Sequence, residues 1–183
     1  MCIRDRTNSY SPIANDINIS RIYGQTFEAT MTAPITMGVF VSARITAGAI
    51  RGFYSAVLIL GVSYIFHPSM ALDWYFMLLL ILNCMVFSAI GFIAGILIDS
   101  HADMAKVTNF IITPMSFLCG TFFSLDRFPR FLEAIFRFLP LTQAVKGMRE
   151  GIGSVDSMQP VIVLLIYFVV LMLLAIGLCK KAE

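Results

Sequence analysis

WYFMLLLILNCMVFSAIGFIAGILI, residues Trp74–Ile98, runs for 25 residues without a charge. A helix rises about 1.5 Å per residue and the hydrocarbon core of a bilayer is about 30 Å thick, so this stretch alone is long enough to cross it. A second uncharged run of 20 residues, Pro160–Cys179, stops directly against Lys180 and Lys181. In lipid every backbone amide must be satisfied within the protein. Helices do this segment by segment, whereas a barrel needs short alternating strands that this sequence lacks. The chain therefore reads as an all-α integral membrane protein, a polytopic helical bundle.

Composition agrees. Apolar residues make up 58% of the 183 and charged ones 13%, against about 45–50% and about 25% in soluble domains. A chain of this length holds about four to six membrane helices and no separate catalytic domain of usual size. Any large soluble activity must then come from a partner. The net charge is +2 and the 13 basic residues form no long run, so a nucleic-acid partner has no electrostatic footprint. Cys2, Cys84, Cys119 and Cys179 show no CxxC spacing and lie on separate segments. Packing explains them better than a metal or a disulfide does.

Before the first span, the apolar residues Ile19, Ile22, Tyr23, Phe27 and Met31 recur at three- and four-residue spacing, with Arg21, Gln25 and Glu28 opposite them. This pattern predicts an amphipathic helix from Asn15 to Thr32 lying outside the hydrocarbon and stopped by Pro34. Residues 1–14 carry no such pattern and no signal peptide's apolar region. The first span is expected over 39–66. Its Arg44 and Arg51 are costly at the bilayer centre but can snorkel to a nearby face, which they would mark as cytoplasmic. The loop His67–Asp73 has no Lys or Arg, as expected on the outside, and Trp74 and Tyr75 open the second span, 74–98, at headgroup level.

A short polar loop, 99–106, should return the chain into a third span, 107–125, which Pro114 would kink. Beyond it Phe128, Phe131, Leu132, Ile135, Phe136 and Leu139 have helical spacing, with Arg130, Glu133 and Arg137 on the other face. Pro129 suits the first turn of such a helix and Pro140 its end, and a second short helix is expected around Thr142–Glu150. The segment 126–158 thus reads as outer amphipathic helices, followed by a fourth span, 159–179, and a cytoplasmic tail, 180–183. Of the 13 basic residues, eight (Arg4, Arg6, Arg21, Arg44, Arg51, Lys106, Lys180 and Lys181) fall on the cytoplasmic side of this topology. The other five, Arg127, Arg130, Arg137, Lys146 and Arg149, sit in the outer segment, where Asp126, Glu133, Glu150 and Asp156 nearly balance them.

Polar residues inside spans are where function would show, because each is costly unless paired. Asn83, Ser88, Asn109, Thr113 and Ser116 are neutral and suit interhelical hydrogen bonds, with substrate contact as the alternative. Gly48/Gly52 and Gly91/Gly95 each fit GxxxG, which allows close helix approach within or between subunits. The absences narrow the classes further. No carboxylate lies at mid-span, as an ion-coupled secondary transporter would need, since Asp73 and Asp99 sit at span ends. His67 and His101 fall in opposite loops, and no nucleophile–base pair or HExxH is present for an intramembrane protease. Asp99, His101 and Asp103 could be drawn as metal ligands, but a solvated or partner-contacting loop is the better account. No GxxxxGK[ST] occurs, so no nucleotide phosphate is cradled by this chain.

The order of elements resembles the ABC-2-type permeases, the membrane subunits of ABC exporters. The residues that carry the likeness are Thr32-Ala33-Pro34-Ile35 after Glu28, Arg51-Gly52, Phe87-Ser88-Ala89-Ile90-Gly91, the block Ile112 to Leu125 with its Gly120-Thr121-Phe122-Phe123-Ser124 exit, Phe138-Leu139-Pro140-Leu141 and Gly147-Met148-Arg149. The resemblance implies six spans, of which this chain would supply the last four, so that the front is truncated and Met1–Arg6 reads as a non-native start. It implies that residues 15–38 form the coupling helix region, with Phe27, Glu28, Met31 and Pro34 against the ATPase subunit, and that the 126–149 helices form a hairpin re-entering the outer leaflet. It further implies a second copy or a related permease as partner, and ATP and Mg held by the separate ATPase rather than by this chain. The expected role is then ATP-driven export of a hydrophobic or amphiphilic molecule (drug, lipid or glycan) across the cell membrane, with no enzymatic site of its own. Asn83, Asn109, Thr113 and Ser116 are candidates for the path. A membrane scaffold or assembly factor is the competing class, and a secondary transporter the third.

Overall fold

The computed structural model describes residues 10–19, 36–66, 73–98, 100–113, 139–150 and 158–181. All of these segments are dominated by helix, and among the described residues there is no strand. In chain order the helices are α1 (10–19), α2 (Met37–Phe66), α3 (Trp74–Leu97), α4 (His101–Val107), α5 (Pro140–Glu150) and α6 (Met158–Lys181).

Among the described residues three helices are long and apolar enough to cross a membrane: Met37–Ile65, Trp74–Leu97 and Met158–Cys179. The expected third span, 107–125, is described only as far as Thr113, and the expected amphipathic helix from Phe128 lies outside the described residues except for Leu139. The short polar segment expected as a loop over 99–106 is helical from His101. Asp103 in the first turn and Lys106 in the last suit the helix dipole, and they pair with each other at 2.7 Å. α4 then widens into a π-type turn over Thr108–Ile112. There the Thr108 carbonyl accepts both the Thr113 N–H and the Thr113 hydroxyl, the latter at 3.0 Å, immediately before Pro114, a residue that cannot donate a backbone hydrogen bond.

α3 is the centre of the bundle, in contact with α2, α5 and α6. Its buried residues, including Leu79, Leu80, Asn83, Cys84, Val86, Phe87, Ser88 and Gly91, wrap most of its circumference. A helix that is hydrophobic all round is one buried among others. α6, by contrast, buries one stripe (Leu164, Ala175, Cys179) and exposes Leu165, Ile166, Val169, Leu173 and Leu174, the division expected of a helix between the bundle and lipid tails.

The register of α2 on α3 is fixed at two places. The Ser88 hydroxyl donates to the Ile45 carbonyl at 2.6 Å, next to Gly48, and Ala56 and Leu60 share a cluster with Leu80. α2 and α3 are therefore antiparallel, and Arg51, between Gly48 and Ala56, lies level with the middle of α3. That is deeper than the position near one face expected for it from the sequence.

α5 runs beside the N-terminal half of α3. A Cβ on Gly147 would lie 2.8 Å from Leu79 Cδ1 and 2.9 Å from Pro160 of α6, while Leu141 and Val145 cluster with Phe87. Its N-terminal end thus reaches the mid-height of α3. Pro140 is the first residue of α5, where its missing N–H would have had no helical partner anyway; the helix it is expected to end lies outside the described residues. The Leu139 carbonyl accepts from Thr142 and Gln143 and closes the first turn.

Candidate functional site

Backbone approaches backbone closely around α1. Tyr10, Ala14 and Ile17 are buried at three- and four-residue spacing, with Ile13 beside them, so one face of this short helix is apolar. Of the stripe expected from Ile19 onward, Ile19 is 48% exposed, and Ile22, Tyr23, Phe27 and Met31 lie outside the described residues. The apolar face begins earlier, at Tyr10, in a stretch where polar Ser11, Asn15 and Asp16 obscure it.

Two glycines of α3 receive this face. A Cβ on Gly91 would stand 2.6 Å from the Tyr10 carbonyl oxygen and 3.1 Å from Tyr10 Cα, and one on Gly95 would stand 3.1 Å from the Ala14 carbonyl. Main chain meets main chain here, which only a residue without a side chain allows. The Gly91/Gly95 pair singled out in the sequence is therefore a contact within the chain. On α2, Gly48 makes room for the Ile13 side chain.

Polar contacts complete the clasp. The Asn18 amide donates to the Ile98 carbonyl at the end of α3. The Tyr10 hydroxyl donates to Met104 Sδ of α4 at 3.6 Å. Burial pushes the Tyr10 phenol above its ordinary pKa, and a hydrogen bond with Thr108 pulls the other way. The Arg44 guanidinium of α2 pairs with Asp16 and lies 5.6 Å from the centroid of the Phe40 ring. Phe40 in turn meets Phe92 of α3 edge to face, with centroids 6.3 Å apart. α1 is thus held by α2, α3 and α4 at once. The Arg44–Asp16 pair is more than a third exposed on both sides and contributes little by itself, about 0–1 kcal/mol. The apolar and backbone contacts hold the helix. Neither α1's docking face nor the Asp16–Arg44 pair was found from the sequence; the spacing Tyr10, Ile13, Ala14, Ile17 was the available signal.

The segment between α1 and α2 carries Phe27, Glu28, Met31 and Pro34, the residues expected against an ATPase subunit. All four lie outside the described residues. The structure fixes both of the segment's anchors, however, since α1 is described to residue 19 and α2 begins at Met37.

Three of the four path candidates lie among the described residues, Asn83 on α3 and Asn109 and Thr113 at the turn that follows α4. Asn83 is buried inside the bundle, 1% exposed, and its Oδ1 has no hydrogen-bond partner among the described residues. Asn109 is exposed. The Thr113 hydroxyl is used by its own helix turn, and Ser116 lies outside the described residues. Among the described residues two further buried oxygens have no partner, Asn18 Oδ1 of α1 and Thr142 Oγ1 of α5, the helix beside the N-terminal half of α3. Among the described residues no three His, Cys, Asp or Glu side chains converge as metal ligands would.

Comparison with known proteins supplies the context. The family described as "ABC-2 type transporter" matches residues 7–152. The inner membrane transport permease YadH of Escherichia coli K12 is 26% identical over 181 residues, covering 97% of this chain and 70% of YadH. Nodulation protein J of Rhizobium leguminosarum bv. trifolii is 27% identical over 169 residues, covering 88% of this chain and 63% of that protein. No solved structure matches.

Proposed function

The chain belongs to the ABC-2 type transporter family, which matches it over residues 7–152, and on that premise we propose that it is the permease subunit of an ATP-driven exporter in the inner membrane. It is a multi-pass membrane transport permease rather than an enzyme. In the proposed assembly two permease subunits form the path for a hydrophobic or amphiphilic molecule, and separate ATPase subunits hold ATP and Mg. Closure of the ATPase subunits drives the permeases between two states through contacts that differ between them.

The observation that carries this reading is the clasp around α1. Residues 20–35 run between a helix gripped by α2, α3 and α4 and the first turn of α2 itself. A force on that segment is delivered to several helices at once, as a lever requires. Phe27, Glu28, Met31 and Pro34 would form its ATPase contact. α5, reaching from one end of α3 to its mid-height, suits a re-entrant helix of the outer leaflet.

The test is Glu28→Lys in the transporter reconstituted with its ATPase subunit. The account expects hydrolysis to continue while substrate movement per ATP falls at least about tenfold, the equivalent of about 1.4 kcal/mol lost from the coupling. Unchanged transport per ATP in that variant would remove the 20–35 segment from the ATPase contact.

A further inference from the structure

The turn over Thr108–Ile112 is wider than the helix that leads into it, and its hydrogen bonds show what holds it so. The Thr108 carbonyl accepts both the N–H and the hydroxyl of Thr113, five residues on. The Thr108 hydroxyl reaches back to the Met104 carbonyl at 2.9 Å, and the Thr108 N–H is divided between the Met104 and Ala105 carbonyls. A hydroxyl bonded to the carbonyl four residues earlier loosens and bends a helix. Pro114 gives the sequence a second reason for the wide register. In an unbroken α register its ring would crowd the Phe110 carbonyl, four residues back, and it has no N–H to offer in return. One extra residue in the turn before it relieves that crowding.

The tight alternative is one residue of register away. When bonds to the fifth residue back exchange for bonds to the fourth, the direction in which the chain leaves Thr113 turns by about 100° and shifts by about 1.5 Å. A third hold on the wide turn comes from another helix. Tyr10 of α1 is buried, with its hydroxyl on Met104 Sδ at 3.6 Å and hydrogen-bonded with Thr108, the residue that opens the turn. The main chain of the same residue rests on α3 at Gly91. That contact has no side chain to yield, so α1 carries the Tyr10 hydroxyl with it when it is displaced against α3. The two hydroxyl bonds inside the turn are always at hand, whereas the one from Tyr10 depends on where α1 stands.

We infer that the Thr108–Ile112 turn is a two-state hinge, with a wide and a tight register, and that Tyr10 is the positioning residue that sets it. With its hydroxyl on Met104 and Thr108 the wide register is favoured. With the hydroxyl withdrawn, the turn tightens and redirects the chain beyond Thr113. Packed helices answer a small displacement by switching between discrete arrangements, and a shift of α1 biases which of the two is populated. The inference deepens the exporter reading, on which it rests for the force that moves α1, by naming the element that responds to it.

The test puts a fluorine probe in the middle of the turn, by Phe110→trifluoromethylphenylalanine, in the full chain with its co-purifying subunits in mild detergent, and reads it by fluorine NMR. Phe110 is 79% exposed, so the probe replaces no buried contact of the chain. Deleting Asn109, an exposed residue of the turn, takes out the extra residue and marks the resonance of the tight register. Pro114→Ala, which removes the crowding ring, marks it independently. The parent should give its major resonance elsewhere. Tyr10→Phe and Thr113→Val each delete a hydroxyl bond and should each shift the ratio about fivefold towards the tight register, while Thr113→Ser, which keeps the hydroxyl, should leave the parent ratio. Tyr10→Phe should not alter the spectrum of the Asn109 deletion. ATP with vanadate should move the parent towards the tight register and leave the Tyr10→Phe variant where it is.

A ratio unchanged by Tyr10→Phe and Thr113→Val would overturn the inference. So would a response to Tyr10→Phe that survives the Asn109 deletion, since the signal would then arise outside the turn. A response to ATP that Tyr10→Phe leaves intact would keep the exporter reading and overturn the role of Tyr10. The shifts caused by the variants need no ATP. Their presence in a preparation that ATP and vanadate do not affect would keep the hinge while removing the exporter reading, so the two fail separately.

Discussion

Gly91→Ala tests whether α1 rests on α3 main chain to main chain. The added methyl would stand 2.6 Å from the Tyr10 carbonyl oxygen and 3.1 Å from Tyr10 Cα, well inside the about 3.5–4.0 Å of ordinary carbon contact. Because the obstacle is backbone, no rotamer change relieves it, and α1 has to move. Overpacking of this kind costs about 1–3 kcal/mol. Against it stands the gain from replacing a mid-helix glycine with alanine, about 0.8–1.0 kcal/mol. Gly61 and Gly177 isolate that gain, since nothing lies within 4 Å of a Cβ at either position. The quantity to measure is therefore the difference between G91A and G61A or G177A, expected at about 1–3 kcal/mol. Thermal unfolding of each purified variant in one mild detergent reads it, at about 2–4 °C per kcal/mol for a chain of this size. G91A should melt several degrees below the two controls. G48A offers a contrast, because its neighbours are the Ile13 side chain and Ser88 Oγ, so Ile13→Ala should partly rescue it whereas no side-chain change at Tyr10 should rescue G91A. If G91A melts with the controls, α1 does not pack on α3 at Gly91, and the clasp loses its centre.

Three further outcomes are expected. Ser88→Ala removes the buried bond to the Ile45 carbonyl and should lower stability by about 1 kcal/mol, read in the same melting assay; no change would mean the α2–α3 register does not rest on it. Asn83→Leu replaces a buried amide whose oxygen has no partner among the described residues with a side chain of similar size, and should leave stability within about 1 kcal/mol. Transport lost in that variant without loss of stability would show that the amide serves the moving molecule. Asp16→Asn should shift the melting temperature by no more than the equivalent of about 1 kcal/mol, as expected for a partly exposed pair, and a larger loss would show that the Arg44 guanidinium needs its carboxylate.

The class of fold was legible because the Trp74–Ile98 and Pro160–Cys179 runs are decided by length and lack of charge alone, and α3 and α6 follow them closely. α1 was harder to read. Its docking face mixes Tyr10 and Ile17 with alanine and an asparagine, and ten residues give periodicity few turns in which to show. Pro140 was ambiguous because proline suits both the position after a helix and the first position of one, and only its neighbours in space decide. Of the functional residues, Asn83 and Thr113 attracted attention as polar groups in apolar runs, but the sequence could not show that the Thr113 hydroxyl is taken up by its own turn. Arg51 was read as a marker of the near face, since depth in a membrane depends on packing register, which the Ser88–Ile45 bond and the Leu80 cluster supply.

The central claim is that this permease is driven by an ATPase subunit it contacts, and capture of that complex is its most direct test. The gene is expressed in its native membrane with a tag, the protein is purified in mild detergent, and bound subunits are identified and counted by mass spectrometry. The account predicts a Walker-motif subunit at about equal stoichiometry, with vanadate-sensitive ATP hydrolysis that co-elutes with the permease. A permease that emerges alone, or with partners that hydrolyse no ATP, under conditions that keep other ABC complexes intact, would contradict it.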